Sequence, residues 1–385
     1  MSIIPYGRQD ISQDDIDAVV DILRSEFLTQ GPAVERFERV IADYCGVSHV
    51  TAVNSATSAL HIACLALGIG PKDTVWTSPI TFVASANCAL YCGAKIDFVD
   101  IDFATNNMSI VALKVKLEDA RKTDTLPAVL IPVHMGGLSC DMQAIFKLSL
   151  EYGFKIIEDA SHAIGGHYAE SLIGCCKYSD ITVFSFHPVK IITTGEGGAA
   201  VTNDSHLYKK LNRLRSHGIT RDENEMIGSS DGVWYYQQVE LGFNYRMTDM
   251  QAALGASQMS RIDQFVEKRN ELAEVYREKL SLLPLDIPLN YEDKHSSYHL
   301  YIIKLHPDSK LSRREMFDHL RSNNIGVNVH YIPVHLQPYY QNLGFNYADF
   351  PESEKYYERA LSIPLHPNLS VGDQNHVIAK IAEVL

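Results

Sequence analysis

Residues 180–198 read DITVFSFHPVKIITTGEGG, and the character of the chain changes three times along them. Ile181 to Phe186 is a run of β-branched and aromatic residues that reads as a buried strand. The run stops at His187 and Pro188, and two residues later Lys190 stands between the apolar side chains of Val189 and Ile191. Desolvation there favours the neutral amine that a nucleophile needs, the alternative being a lysine in an exposed loop. Three glycines then close the segment before a second apolar run, Ala199 to Thr202.

The same rhythm extends backwards from this stretch. Val50 to Val53, Thr74 to Thr77, Lys95 to Val99, Ala128 to Val133 and Lys155 to Glu158 read as strands. Helix-length stretches such as Ala56 to Leu67, Phe82 to Tyr91 and Asp141 to Glu151 lie between most of them. Alternation of this kind implies crossover connections and a mainly parallel seven-stranded sheet covered on both faces, with ligands at the carboxyl ends of the strands. Downstream, Thr248 and Gln251 have capping-box spacing and open a long helical stretch through Ala252 to Leu280. Beyond it the order becomes strand (Tyr298 to Leu305), helix (Ser312 to Arg321), strand (Gly326 to Tyr331) and two helices near Ser353 and Gly372. The expected organisation is a large α/β domain over residues 1–250, then a bridging helix and a small α+β domain over 251–385.

The strand ends carry the polar residues. NSATSAL (Asn54 to Leu60) places small hydroxyl residues at a helix start, where free amides, the helix dipole and the hydroxyls of Ser55 and Thr57 suit a phosphate. Plain N-capping is the other use of such residues. IIEDASHA (Ile156 to Ala163) brings Glu158 and Asp159 out of an apolar strand, with His162 just beyond. A carboxylate in that position requires a partner, either a cationic ligand or a core arginine. Phe82, in SPITF, is placed to stack on a ring or to fill the core. A phosphate cradle, an acid and a lysine at the ends of strands in one sheet are the three things pyridoxal phosphate needs. No GxGxxG follows a strand, so a dinucleotide is a poorer fit.

Composition narrows the classes. With 34 Lys and Arg against 47 Asp and Glu, the 385-residue chain has a formal net charge of −13 and no basic patch, which disfavours nucleic acid and anionic lipid. The longest uncharged stretch, Thr74 to Ala94, is broken by Pro79, Asn87 and several Ser and Thr, and reads as strand, turn and buried helix rather than a membrane span. Residues 1–17 lack a basic region followed by an apolar segment, and the seven cysteines are scattered without a CxxC pair. Reduced thiols, a cytoplasmic location and no metal centre are the expectation.

NSATSAL, SPITFVASAN, EDASHA, SFHPVKIITTGEGG, RSHGI and LGFNYRMTDMQAALG follow one another in an order and spacing that resemble the DegT/DnrJ/EryC1/StrS enzymes, which aminate nucleotide-linked keto-sugars. The resemblance implies the aspartate-aminotransferase-like fold type I and a homodimer. It makes Lys190 the residue that holds pyridoxal 5'-phosphate as a Schiff base and Asp159 the partner of the pyridine nitrogen. Ala56, Thr57 and Ser185 become phosphate ligands, Phe82 the stacking ring and His162 a neighbour of the ring hydroxyl. Asn244 would complete the phosphate site of the partner subunit. Tyr6, the segment Glu26, Phe27, Leu28 and Thr29, His187, and Asn328, Val329, His330 and Tyr331 resemble positions around the sugar nucleotide. FLTQG (27–31), SHGITRD (216–222) and VHYIPVHLQPYY (329–340) resemble members that move an amino group from L-glutamate to C4 of a UDP-linked 4-keto-6-deoxy-N-acetylhexose. A dTDP-linked or D-configured keto-sugar, or a noncatalytic sugar-nucleotide-binding regulator, are the alternatives. A related branch that replaces the lysine with histidine is disfavoured by Lys190.

Overall fold

The structure, a computed structural model, describes residues 3–385. Its centre is a seven-stranded sheet of β1 (His49–Val53), β2 (Thr74–Thr77), β3 (Lys95–Phe98), β4 (Val129–Ile131), β5 (Lys155–Asp159), β6 (Ile181–Ser185) and β7 (Gly198–Thr202). The strand order is β1-β7-β6-β5-β4-β2-β3, with β7 antiparallel to both neighbours and every other pair parallel. All seven expected strands form, each within a few residues of its expected ends.

Twelve of the thirteen α-helices among the described residues surround the two sheets: α1 (Gln13–Arg24), α2 (Pro32–Cys45), α3 (Ala56–Ala66), α4 (Ala84–Tyr91), α5 (Ile110–Thr123), α6 (Met142–Tyr152), α7 (Ser205–Arg215), α8 (Asp249–Met259), α9 (Ile262–Leu280), α10 (Arg313–Ser322), α11 (Pro351–Arg359) and α12 (Val371–Ala382). Alternation along the strands sends Ile157, Ile181 and Val183 to the face covered by α3, α4 and α7, and sends Ile156 and Phe184 to the face covered by α2, α5, α6, α8 and α9. Burial on both faces explains why these strands read as near-continuous apolar runs.

Register sets the site. The parallel strands end together at Val53, Asp159 and Ser185, and antiparallel β7 begins at that edge because Gly198 pairs with both Ser185 and Val53. A Cβ on Gly198 would lie 2.5 Å from the Ala56 amide nitrogen, so only glycine lets β7 start against the Ser55–Ala56 turn.

The capping box of Thr248 and Gln251 forms as its spacing predicts. The helix it opens, however, ends at Met259, and α9 starts afresh at Ile262. The break lies where Arg261 leaves helical geometry and turns its guanidinium to Asp10 and Asp15 of the N-terminal region, at 2.6 Å each. Helix α9 then runs from the core beneath the large sheet (Ile262, Phe265, Val266) into a second core (Leu272, Ala273, Tyr276, Leu280).

That second core is built on a three-stranded antiparallel sheet of β8 (Leu285–Asp286), β9 (Tyr301–Leu305) and β10 (Ala360–Ile363), packed with α10 and α12. Two expectations fail here. The strand expected from Tyr298 begins at Tyr301, because Tyr298 adopts φ 47 and cannot continue a strand. Gly326 to Tyr331 is not a strand: it is held by one bridge between Asn328 and Ser362, and by the N-terminal arm. Ile4 pairs with Ile325, and Gly326 donates to the Ile4 carbonyl at 2.6 Å. Strand β10 was not anticipated. Thr74 to Ala94 resolves into β2, a loop and α4, and no helix among the described residues is long and apolar enough to cross a membrane.

Candidate active site

The edge defined by β1, β5, β6 and the start of β7 opens onto a cavity of about 800 Å3. Lys190 reaches it from the turn after β6, where its amide donates to the His187 carbonyl at 2.9 Å. Burial drives the amine's pKa down from the ordinary lysine range to about 8, against the opposing pull of the Asp159 carboxylate.

The last residue of β5, Asp159, is buried, and both its oxygens are occupied. Ser85 in α4 donates its hydroxyl to Oδ2 at 2.6 Å, and the Ser161 amide donates to Oδ1 at 3.1 Å. Glu158, one residue earlier, points to the other face of the sheet. It accepts from His134 Nε2 at 2.8 Å, Ser179 Oγ at 2.5 Å and Thr182 Oγ1 at 3.2 Å. Neither carboxylate has the core arginine considered above: Glu158 is absorbed by the fold, whereas Asp159 faces the cavity.

At the start of α3, Ser55 caps the helix by accepting the Ser58 amide at 3.2 Å. The amides of Ala56 and Thr57, the first two helical residues, have no partner within the helix, and both residues line the cavity. Capping and anion binding therefore coexist in one turn. Phe82 lines the mouth with 57% of its surface exposed, so it is not a core residue.

On the far wall, His162 Nδ1 accepts the Gly136 amide at 3.3 Å, which leaves the proton on Nε2 to face the Tyr331 hydroxyl at 3.1 Å. Burial, reinforced by Lys190 and His330, holds the His162 pKa well below the usual imidazole range. Burial likewise brings His330 down to about 3, and its ring is held by Ser362 (2.8 Å) and Asn328 (3.3 Å). The wall is thus lined by neutral imidazoles.

The cavity brings together Tyr6, Ala56, Thr57, Phe82, Asp159, His162, Ser185, His187, Lys190, Asn328, Val329, His330 and Tyr331. It does not include Glu26, Phe27, Leu28, Thr29 or Asn244, which are exposed elsewhere on the same chain. Residues 26–29 are tied to the start of α8 by the Thr29–Thr248 bridge and by the Asp249 amide on the Leu28 carbonyl at 3.0 Å. Ser85 and His299 are among the cavity residues that the sequence reading does not single out. Ser85 stands inside the quoted SPITFVASAN motif, which was the signal available for it. His299 is buried with its ring centroid 4.4 Å from that of His162, and nothing in its SSYHLY context marks it.

A nucleophilic amine, a buried carboxylate and a pair of free helix-start amides on one rim suit pyridoxal 5'-phosphate, and with this sheet they define an aminotransferase site. The chain belongs to the DegT/DnrJ/EryC1/StrS aminotransferase family, whose profile matches residues 9–382, and that family is pyridoxal-phosphate-dependent. The spore coat polysaccharide biosynthesis protein SpsC of Bacillus subtilis is 39% identical over 99% of this chain and 97% of its own. A Campylobacter jejuni UDP-4-amino-4,6-dideoxy-N-acetyl-beta-L-altrosamine transaminase is 38% identical over 100% and 98%. Among solved structures, Helicobacter pylori PseC, an aminotransferase of pseudaminic acid biosynthesis, superimposes with a TM-score of 0.89 at 30% identity, covering 100% of this chain and 99% of that one.

Proposed function

We propose that the protein transfers the amino group of L-glutamate to C4 of a UDP-linked 4-keto-6-deoxy-N-acetylhexose, the reaction class that serves pseudaminic acid synthesis. The observation that carries this reading is the meeting of Lys190, Asp159 and the Ala56–Thr57 amides in one cavity, in a chain similar over its full length to transaminases of such sugars. Bound pyridoxal phosphate supplies the electron sink that makes an amino acid Cα–H acidic.

The chain's own residues do the rest. Lys190 would anchor the cofactor, and its amine, once displaced by glutamate, would serve as the base and acid that moves a proton at Cα of glutamate and at C4 of the sugar. Asp159, gripped by Ser85 and the Ser161 amide, holds a proton on the cofactor's ring nitrogen. Ala56, Thr57 and Ser185 would bind the phosphate, and Phe82 would stack on the ring. His162 would neighbour the ring hydroxyl, and Tyr6, His187 and Asn328 to Tyr331, which line the same cavity, would hold the sugar nucleotide.

We further infer that the working unit is a homodimer. Asn244 and the segment Glu26 to Thr29 are exposed near the start of α8, outside their own chain's cavity. Phe27 and Leu28 each leave about half their surface open, as residues awaiting a second subunit do. In the dimer they complete the partner's site.

The test is incubation with L-glutamate and a panel of nucleotide-linked keto-sugars, with products identified by mass spectrometry and NMR. A 4-amino sugar formed on the UDP-linked N-acetyl substrate supports the reading. Turnover only of a dTDP-linked sugar, or of none, refutes it.

A further inference from the structure

The segment that leads into β9 carries His299 into the cavity wall and is pinned on both sides of it. The Ser297 hydroxyl donates to the His162 carbonyl at 2.8 Å, and the Leu300 amide donates to the Gly136 carbonyl at 3.2 Å. These ties lay the His299 ring with its centroid 4.4 Å from that of His162, in a residue that is 4% exposed and lines the cavity. Its Nδ1 is buried without a hydrogen-bond partner. An orphaned buried N–H is rarer and costlier than an orphaned lone pair, so the ring proton belongs on Nε2, where it is a donor presented to the cavity.

A second feature stands behind this wall. Arg269 of α9 is fully buried, and its Nη1 donates to the carbonyls of Tyr298 at 3.1 Å, His299 at 3.3 Å and Leu365 at 2.9 Å, while its Nε has no partner. No carboxylate stands among these partners. Burial lowers the guanidinium only to about 10, so it keeps its charge at neutral pH and leaves a positive field behind His299 that carbonyls only partly offset. Among the described residues that line the cavity there is no arginine, and the one lysine is Lys190, which the cofactor occupies in the reading above. Burial, with Lys190, His162, Arg269 and His330, holds His299 well below the usual imidazole range, so the ring is a neutral donor in front of a fixed cation.

We propose that His299, backed by the charge of Arg269, binds the α-carboxylate of the amino acid that donates the amine. The inference rests on the aminotransferase reading above. The α-carboxylate is bonded directly to Cα, the carbon at which Lys190 works, so it has to lie beside Lys190 at the buried end of the cavity. The side-chain carboxylate of glutamate is two methylenes further out and extends away from that end. A donor with a positive field behind it, preorganised by the ties to His162 and Gly136, suits a carboxylate that arrives there.

The test uses the holoenzyme and the amino-acid half of the reaction with no keto-sugar present, so its outcome is separate from the sugar assigned above. Wild type, His299→Phe and His299→Gln are mixed with increasing L-glutamate or L-glutamine, and conversion of the bound cofactor is followed by absorbance. Titration with 2-methyl-L-glutamate, which has no Cα proton to lose, reads binding alone. His299→Phe keeps a flat ring against His162 but no donor. It is expected to raise the half-saturating concentration of both amino acids, and the Kd of the methyl analogue, by roughly tenfold or more, the effect of losing a hydrogen bond to a charged group, with the saturating rate within a few-fold. The side-chain amide of His299→Gln can stand in for the Nε2 proton and should recover most of that loss. Cofactor occupancy and the spectrum before amino acid is added should match wild type in both variants. Unchanged half-saturation in His299→Phe would overturn the proposal and leave the carboxylate to a cation of the partner subunit. A loss confined to glutamate would also overturn it, because the side-chain carboxylate would then be the group at His299. So would a His299→Gln no better than His299→Phe, or weakened cofactor retention, since either marks a structural role. A wild-type cofactor that neither amino acid converts would overturn the aminotransferase reading and this proposal with it.

Discussion

Ser85 and Asp159 are joined by a 2.6 Å hydrogen bond that ties the first turn of α4 to the end of β5. With the Ser161 amide on the other oxygen, the carboxylate is oriented from two directions before any ligand arrives. Asp159→Asn is expected to fold and bind the cofactor but to lose roughly two or more orders of magnitude in kcat, as removal of one preorganised charge contact does. Ser85→Ala removes only one hydrogen bond to a charged group, so roughly a tenfold loss is expected. Steady-state kinetics with cofactor occupancy measured in parallel checks both, and an Asp159→Asn enzyme within a few-fold of wild type would refute the role.

The His162–Tyr331 contact fixes the direction of a second group. Because the Gly136 amide occupies Nδ1, the Nε2 proton points at the tyrosine oxygen and the tyrosine's own proton is free for a ligand in the cavity. Tyr331→Phe is expected to raise the KM for the keto-sugar by about tenfold, the effect of one lost hydrogen bond, and to leave the KM for glutamate within a few-fold. A larger effect on glutamate than on the sugar would contradict this placement.

Lys190 makes the cofactor-free protein pH-dependent in a definite sense. Its folded pKa of about 8 lies below the ordinary 10.5, so between those values the unfolded chain binds more protons and stability rises with pH. Below about pH 8 both states carry the proton and the full cost of burying the ammonium is present. Chemical denaturation of the apoprotein at pH 7.5 and 9.5 should show Lys190→Met gaining on wild type at the lower pH and losing that advantage at the higher. An advantage independent of pH would contradict the shift.

Subunit sharing is tested by complementation. Lys190→Ala and Asn244→Ala are each expected to be inactive. After subunit exchange, hybrid dimers contain one site with both residues intact, so roughly a quarter of the sites at statistical mixing should recover. No recovery, with exchange verified independently, would place Asn244 within its own chain's site or outside any.

Much of the fold was legible because buried parallel strands are near-continuous apolar runs and the polar residues that interrupt them stand at strand ends. That pattern exposed Asp159, Lys190 and the Asn54 to Leu60 turn. It failed where identity depends on tertiary partners. Ser85 looks like any serine in a buried helix until Asp159 is seen opposite it. The break at Arg261 is set by Asp10 and Asp15, some 250 positions away in the chain, and no local breaker residue announces it. Gly326 to Tyr331 reads as a strand but is a bridge-held segment, kept beside the cavity by the N-terminal arm around Ile4 and by Ser362. Period-two patterning cannot separate these cases, because a strand and an extended tether share it.

The most direct measurement is transfer of label through the site. Enzyme is incubated with 15N-labelled L-glutamate, freed of unbound amino acid, and given the UDP-linked 4-keto-6-deoxy-N-acetylhexose, with Lys190→Ala treated alongside. The account predicts 15N at C4 of the sugar from the wild-type protein and none from Lys190→Ala. A sugar product without 15N, or equal labelling by the variant, would contradict it.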